Sequence, residues 1–210
     1  MTFLASAFTA GQTLTASLME SIRDSANAGH NIYTNEAARD AAITSPTEGM
    51  MVYLTAPTVP AATGAITAVP TGVQTVYNGF VWVCITPVGS RTDAAGALNA
   101  GAYTPTLTGT PGTNPSVTLV TGTTALVSIS NGLVTTTAFG AMSFAVSGAG
   151  VVAASDAYAT TINTAPFDAS VSRQLVMTGL TAGTNTFTLQ YRTGAACTYF
   201  RRNITVIGIA

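Results

Sequence analysis

Apolar and polar residues alternate over several short stretches in the second half of the chain. The run 186–191 places Phe187, Leu189 and Tyr191 on one face, which is the period-2 pattern of a half-buried β-strand. Gly, Thr and Asn residues separate such stretches, and Asn131-Gly132 predicts a hairpin turn. Short strands at this spacing predict a β-sandwich of the jelly-roll type. The predicted strands are 103–108, 117–120, 125–129, 133–139, 141–146, 159–162, 174–178, 184–191, 197–200 and 203–209.

The first 30 residues follow a helical period instead. Leu14, Leu18 and Ile22 recur at i, i+4 and i+8, which places them on one face of a helix. The helix is short and its apolar stripe is narrow, so it would be marginal alone in water. We therefore expect residues 1–30 to form an arm and an anchoring helix, with these three side chains in an oligomer or anchor interface.

Residues 31–88 have the pattern of a small α+β module. Asn35 can cap a short helix, residues 50–54 form a strand, and Asn78-Gly79 predicts the turn of a hairpin. The hairpin covers 73–85, the segment 56–71 is a long loop, and 89–102 is a linker to the sandwich at 103–210. The predicted fold class is mainly β: a short N-terminal helix and a small β-hairpin module, followed by a C-terminal β-sandwich.

Composition excludes several partners. Only 7% of the residues are charged, the formal net charge is −1, and all seven basic residues are Arg. Nucleic acid is not an expected partner, because phosphate binding needs clustered Lys or Arg. A membrane is not expected either, since the most apolar stretch, 138–154, is interrupted by three glycines.

The start lacks the basic region of a signal peptide, which predicts synthesis and folding in a cytoplasm. Low charge favours association, which predicts an oligomer or a subunit of a larger assembly.

Residues that could perform catalysis are scarce. His30 is the only histidine, so it is the only histidine that could act as the general base for a serine or cysteine nucleophile. Asp156 and Asp168 are the acidic residues of the predicted sandwich, and a glycosidase would need them positioned as a pair. No metal-ligand cluster or phosphate-binding glycine loop is present, so we predict no enzyme, no metal and no cofactor. Cys84 and Cys197 are predicted to be small buried residues, with a disulfide as the alternative.

Aromatic residues near predicted loops offer the remaining binding hypothesis. Tyr158 and Phe167 lie where loops are expected and could stack on a sugar ring. Most aromatic residues at strand spacing belong to a core. Glycan contact through these two residues is therefore the secondary hypothesis for the sandwich.

Two groups of sequence motifs resemble structural proteins of tailed bacteriophages. Residues 8–16, FTAGQTLTA, followed by Ile22-Arg23-Asp24, resemble the opening of many such proteins. The segments ARDAAI at 38–43, SPTEGM at 45–50 and VYNG at 76–79 are similar to a module of the same proteins, from which this chain departs by its long 56–71 segment and by Phe80-Val81 before the tryptophan. More loosely, 179–184, 187–192 and 201–207 resemble the last strands of trimeric jelly rolls of the C1q/TNF-like type.

The resemblance implies a place on a virion. It implies a non-enzymatic structural component, a homotrimeric capsid decoration or head-fibre protein anchored through its N-terminal region. The partners would be further copies of the chain and other virion proteins, such as major capsid or tail proteins, and assembly would take place in the host cytoplasm. The alternative is a minor tail or tail-fibre protein whose C-terminal domain binds a host receptor or cell-surface glycan.

Overall fold

A small four-stranded sheet begins the part of the chain that the computed structural model describes, namely residues 31–99, 101–135, 139–163 and 167–210. Its strands, in spatial order, are β1 (Asn31–Tyr33), β2 (Met51–Leu54), β5 (Val73–Tyr77) and β6 (Trp82–Cys84). β1 pairs parallel with β2, and the other pairs are antiparallel. Helix α1 (Glu36–Ala42) follows β1, and the Asn35 side chain caps it by accepting a hydrogen bond from Ala38 N at 3.0 Å.

Two larger sheets stack face to face and form a β-sandwich. Their strands are β3 (Ala61–Thr63), β4 (Ile66–Ala68), β7 (Val88–Thr92), β8 (Gly96–Leu98), β9 (Thr108–Gly109), β10 (Ser116–Thr121), β11 (Thr124–Thr135), β12 (Gly140–Gly148), β13 (Thr160–Ile162), β14 (Phe167–Thr178), β15 (Gly183–Thr193) and β16 (Cys197–Ile209). The first sheet has the order β13-β12-β15-β10-β3. The second has the order β14-β11-β16-β7-β4, with β8 pairing β16 and β9 pairing β8.

The strand order is that of a jelly roll. Leaving out the two short edge strands β3 and β4 and the β8–β9 extension, eight strands remain in two sheets of four. Numbered 1 to 8 along the chain, they lie in the orders 1-8-3-6 and 2-7-4-5, which is the double Greek-key arrangement. The mainly β fold class and the sandwich predicted from alternating residues are confirmed.

Two segments that were predicted to be irregular contain strands. The predicted loop 56–71 supplies β3 to one sheet of the sandwich and β4 to the other. The predicted linker 89–102 instead holds β8 and most of β7, and β7 pairs with the central strand β16. These strands are three to five residues long and rich in Gly, Ala and Thr, so their sequences lack the apolar alternation that would reveal them.

The predicted turn at Asn131-Gly132 is wrong, because both residues lie inside β11. Asn131 faces two residues of β16, Arg201 and Arg202, so the register shifts there and the β-bulge lies in β16. The Asn131 side chain is buried and accepts a hydrogen bond from Thr160 Oγ1 at 3.0 Å. Gly132 lies beneath the Phe200 ring, where a Cβ atom would collide. The Asn-Gly pair therefore lies within a continuous strand, opposite a bulge and beneath an aromatic ring, and forms no turn.

The hairpin predicted over 73–85 is confirmed as β5 and β6, with a longer loop than two residues. Tyr77 pairs with Trp82, and Asn78 Oδ1 accepts hydrogen bonds from Phe80 N and Val81 N. Gly79 has a φ of 90°, which favours glycine at this position. Of the predicted strand 103–108, only Thr104 forms a bridge, to Tyr191, and Thr108 begins β9.

Within the described residues, no helix has the length and apolar character needed to cross a membrane.

Candidate functional site

The predicted anchor residues Leu14, Leu18 and Ile22 lie outside the described residues, as does His30. Their part in an interface therefore stays a prediction. The remaining candidate residues lie in the sandwich and at its junction with the small sheet.

The two aromatic residues of the glycan hypothesis differ in setting. Tyr158 is half-buried in a 3-10 turn (Asp156–Tyr158), and its ring stacks on Phe144 with centroids 5.7 Å apart. This contact occupies one face of the ring, which leaves less of it for a sugar. The main chain of Phe167 begins β14, opposite Thr135. Glycan contact through these residues remains a prediction.

The two aspartates of the glycosidase hypothesis have separate surroundings. Asp156 accepts hydrogen bonds from Tyr103 Oη at 2.7 Å and from Arg192 Nη1 at 2.6 Å. The Tyr103 hydrogen bond, followed by Arg192, lowers the pKa of Asp156. Asp168 lies exposed on β14, in the other sheet. A general acid needs a raised pKa, so Asp156 is suited to holding Tyr103 and Arg192 in place and not to donating a proton.

The outer surface of the second sheet presents a block of uncharged side chains, which we call the neutral face. Alternation along β11 turns Leu126, Ser128 and Ser130 outward, while Val127 and Ile129 are buried beneath. The registers with β14 and β16 arrange three rows across the sheet. The rows are Val176–Leu126–Ile207, Gln174–Ser128–Thr205 and Ser172–Ser130–Asn203.

The neutral face combines exposed apolar surface with hydroxyl groups. Val176 is 57% exposed, and Gln174 Nε2 donates to Ser128 Oγ at 2.9 Å. Charged groups lie at its margin: Arg91 follows Asn203 in the third row and is paired with Asp93 at 3.0 Å. A sheet face of this kind can pack against another protein without burying a charge.

A cavity of about 280 Å³ lies where the small sheet meets the sandwich. Its walls come from α1, from the hairpin β5–β6, and from the ends of β10 and β15. Two charged side chains line it, Glu36 and Arg39, together with Trp82. Arg39 is only 6% exposed. The sequence shows Arg39 as an ordinary helix residue, so periodicity gave no sign that it would be buried.

A second buried arginine, Arg202, has both of its terminal Nη atoms hydrogen-bonded inside the core, while its Nε has no partner among the described residues. It is 1% exposed, and its Nη1 donates to Tyr191 Oη at 3.2 Å. Its Nη2 donates to the carbonyl oxygens of Ala94 and Pro111. Arg202 therefore links the segment between β7 and β8 and the segment after β9 to the core of the sandwich, and both of its terminal nitrogens bind protein groups.

Cys84 and Cys197 are free thiols and both are buried. The prediction that they are small buried residues is confirmed. Among the described residues, no group of three or more His, Cys, Asp or Glu lies close enough together to hold a metal ion.

Comparison with known proteins gives only distant likenesses. No protein-family model matches the chain, and no curated protein matches it. Among solved structures, the Eiger TNF of S. frugiperda aligns over 59% of this chain and 92% of its own, with 9% identity and a TM-score of 0.42. The VP2 subviral particle of infectious bursal disease virus aligns over 69% of this chain and 49% of its own, with 9% identity and a TM-score of 0.33. The isomalto-dextranase of Arthrobacter globiformis T6 aligns over 57% and 22%, with 16% identity and a TM-score of 0.30.

Proposed function

We propose that this chain is a non-enzymatic structural component of a phage virion, a homotrimeric capsid decoration or head-fibre protein anchored through its N-terminal region. The neutral face is the observation that carries the proposal of self-association. It gives the jelly roll a broad surface that can pack against another copy without removing charged side chains from water, which would cost free energy. The N-terminal motifs that resemble phage virion proteins support the place of assembly, which is the virion built in the host cytoplasm.

The self-association proposal is tested by the mass of the protein in solution. The wild-type chain is expected to have the mass of three chains, against 21.2 kDa for one. Val176→Glu is expected to shift the mass to that of a monomer, because it places an unpaired carboxylate among Leu126 and Ile207 of the apolar row. Val151→Glu is the matched control, since Val151 is 86% exposed and lies in a loop of the other sheet; it should leave the mass unchanged.

Two outcomes contradict this proposal. A monomeric wild-type chain would exclude self-association, and a Val176→Glu variant that keeps the wild-type mass would exclude the neutral face as the interface. Circular dichroism of both variants confirms that any change in mass does not come from unfolding.

The place on the virion is tested by counting copies in purified particles. Hundreds of copies are expected for a capsid decoration protein, whereas a handful would favour the minor tail or tail-fibre alternative. Leu14→Asp with Leu18→Asp is expected to lower incorporation while leaving the solution mass unchanged. Absence of the wild-type chain from particles, or normal incorporation of the double variant, would contradict the proposed anchoring.

A further inference from the structure

We infer that the cavity beside Arg39 is a binding site for a small monocarboxylate, whose carboxylate group binds the edge of the Arg39 guanidinium where it stacks on the Trp82 ring. This inference is independent of the proposed virion role, because it concerns the junction of the small sheet and the sandwich.

Arg39 is buried, yet its two terminal nitrogens, Nη1 and Nη2, bind no other protein group among the described residues. Its Nε donates to Asp40 Oδ1 at 2.8 Å, and the Asp40 side chain is 59% exposed. Within the described residues, neither Nη atom of Arg39 has a hydrogen-bond partner. Arg202 is buried to a similar degree, and there the Nη atoms bind a hydroxyl and two carbonyl groups. Among the described residues, the buried side-chain atoms without a partner do not include the Arg39 Nη atoms. These atoms therefore keep contact with the cavity that Arg39 lines, where water or a ligand can satisfy them.

Stacking on Trp82 fixes the orientation of these donors. The guanidinium carbon lies 4.8 Å from the centroid of the Trp82 ring, and Trp82 is itself 9% exposed. The ring covers one face of the guanidinium, so the N–H bonds remain available at its edge. A planar pair of parallel N–H donors matches the two oxygens of a carboxylate.

The charges around the site limit the charge that a ligand can carry. Burial would raise the pKa of Glu36, but hydrogen bonds from Thr58 and Val59 outweigh it and lower the pKa. Glu36 is thus ionised, with its oxygens bound to Thr58 N, Thr58 Oγ1 and Val59 N at 2.9–3.0 Å. Glu36 and Asp40 together carry two negative charges against the one positive charge of Arg39, so they repel a dianion such as sulfate more strongly than a monocarboxylate.

The remaining wall suits a short hydrocarbon chain. Apolar side chains of the small sheet, of the loops beside it and of β10 line the cavity, namely Leu54, Val59, Val81 and Val120. A volume of about 280 Å³ is at the lower end for ligand sites, which are roughly 300–1,000 Å³. The class of ligand is therefore a small organic acid with a short apolar tail.

Trp82 provides the measurement, because it is the only tryptophan of the chain. Acetate and butyrate are titrated into the full-length protein while its tryptophan emission is recorded, and sulfate is titrated at matched ionic strength. Saturable changes are expected with both carboxylates, with butyrate binding more tightly, and no saturable change is expected with sulfate. Arg39→Gln should weaken carboxylate binding at least tenfold.

Two further variants keep the test decisive. Arg39→Lys retains the charge but loses the paired donors, so binding should also weaken, and it replaces Arg39→Gln if that variant does not fold. Arg91→Gln is the matched control, because Arg91 is half-exposed and paired with Asp93 at the surface; it should bind like the wild type. The inference is overturned if neither carboxylate gives a saturable response, if Arg39→Gln binds normally, or if sulfate saturates the site as well as acetate.

Discussion

Asn185→Asp should destabilise the sandwich in a way that depends on pH. Asn185 on β15 is fully buried. Its Nδ2 donates to Thr121 Oγ1 and to the Thr181 carbonyl oxygen, both at 2.8 Å. Its Oδ1 accepts a hydrogen bond from Gly150 N at 3.1 Å. One amide thus joins the end of β10, the turn before β15 and the loop after β12.

The exchange replaces a donor by an acceptor without changing the size of the side chain. The Thr121 hydroxyl cannot turn to help, because it already donates to the Gly122 carbonyl oxygen at 2.9 Å. The ionised aspartate loses every hydrogen bond that Nδ2 donates and leaves the buried Thr121 hydroxyl oxygen and the Thr181 carbonyl oxygen without that donor, which together costs about 4 kcal/mol. For a chain of this length that lowers the melting temperature by about 10 °C. The protonated form keeps one O–H donor and should lose roughly half as much.

The sign of the pH dependence follows from burial. A carboxyl group that is buried without a cation has its pKa raised above the unfolded value of about 3.9. The folded variant therefore binds more protons than the unfolded chain, so its stability is highest at low pH and falls as pH rises through the raised pKa. Urea unfolding followed by circular dichroism at about pH 4 and about pH 7 measures this difference.

Asn163→Asp provides the matched control, because Asn163 is exposed and adds the same carboxyl group at the surface. The free energy of unfolding of Asn185→Asp minus that of the control should become more negative from pH 4 to pH 7. Equal stability of the two variants at neutral pH, or a difference that does not change with pH, would refute the role assigned to the Asn185 amide.

Two other predictions concern the core. Phe144 is fully buried against Phe187 and Tyr158, so Phe144→Ala should lower the free energy of unfolding by about 3–5 kcal/mol. Phe80→Ala, at a site 84% exposed, should change the free energy of unfolding by less than about 0.5 kcal/mol. If denaturant titrations gave the two variants the same loss of unfolding free energy, the assigned packing of Phe144 would be wrong. Burial raises the pKa of the Cys197 thiol to about 11 and also raises that of Cys84, which suppresses the reactive thiolate. Both thiols should resist a thiol reagent at about pH 8 in the native protein and react in denaturant, and rapid labelling of either native thiol would show that it is accessible.

The candidate sites were less predictable than the fold. The residues of the neutral face alternate along three strands, so the sequence suggests that each of them points outward from its own strand. Their arrangement in rows depends on which strands are neighbours, and β11, β14 and β16 are far apart in sequence. Arg39 was visible only as part of the ARDAAI motif. Its stacking on Trp82 needed the hairpin to fold back over a helix about 40 residues earlier in the chain.

The sequence by itself determined the class of this protein, because strand periodicity and scarce charge are local properties of the chain. Alternation at Phe187, Leu189 and Tyr191 predicts the buried face of β15, and all three side chains are fully buried. The tertiary structure decided what short or ambiguous segments do. Gly-rich strands such as β7 acquire their conformation from pairing with β16. Asn131-Gly132 stays within β11, where Thr160 binds the Asn131 side chain and the Phe200 ring covers Gly132. Pairing partners and burial are non-local, so only the folded chain could bring Arg39 over Trp82 or assemble the neutral face.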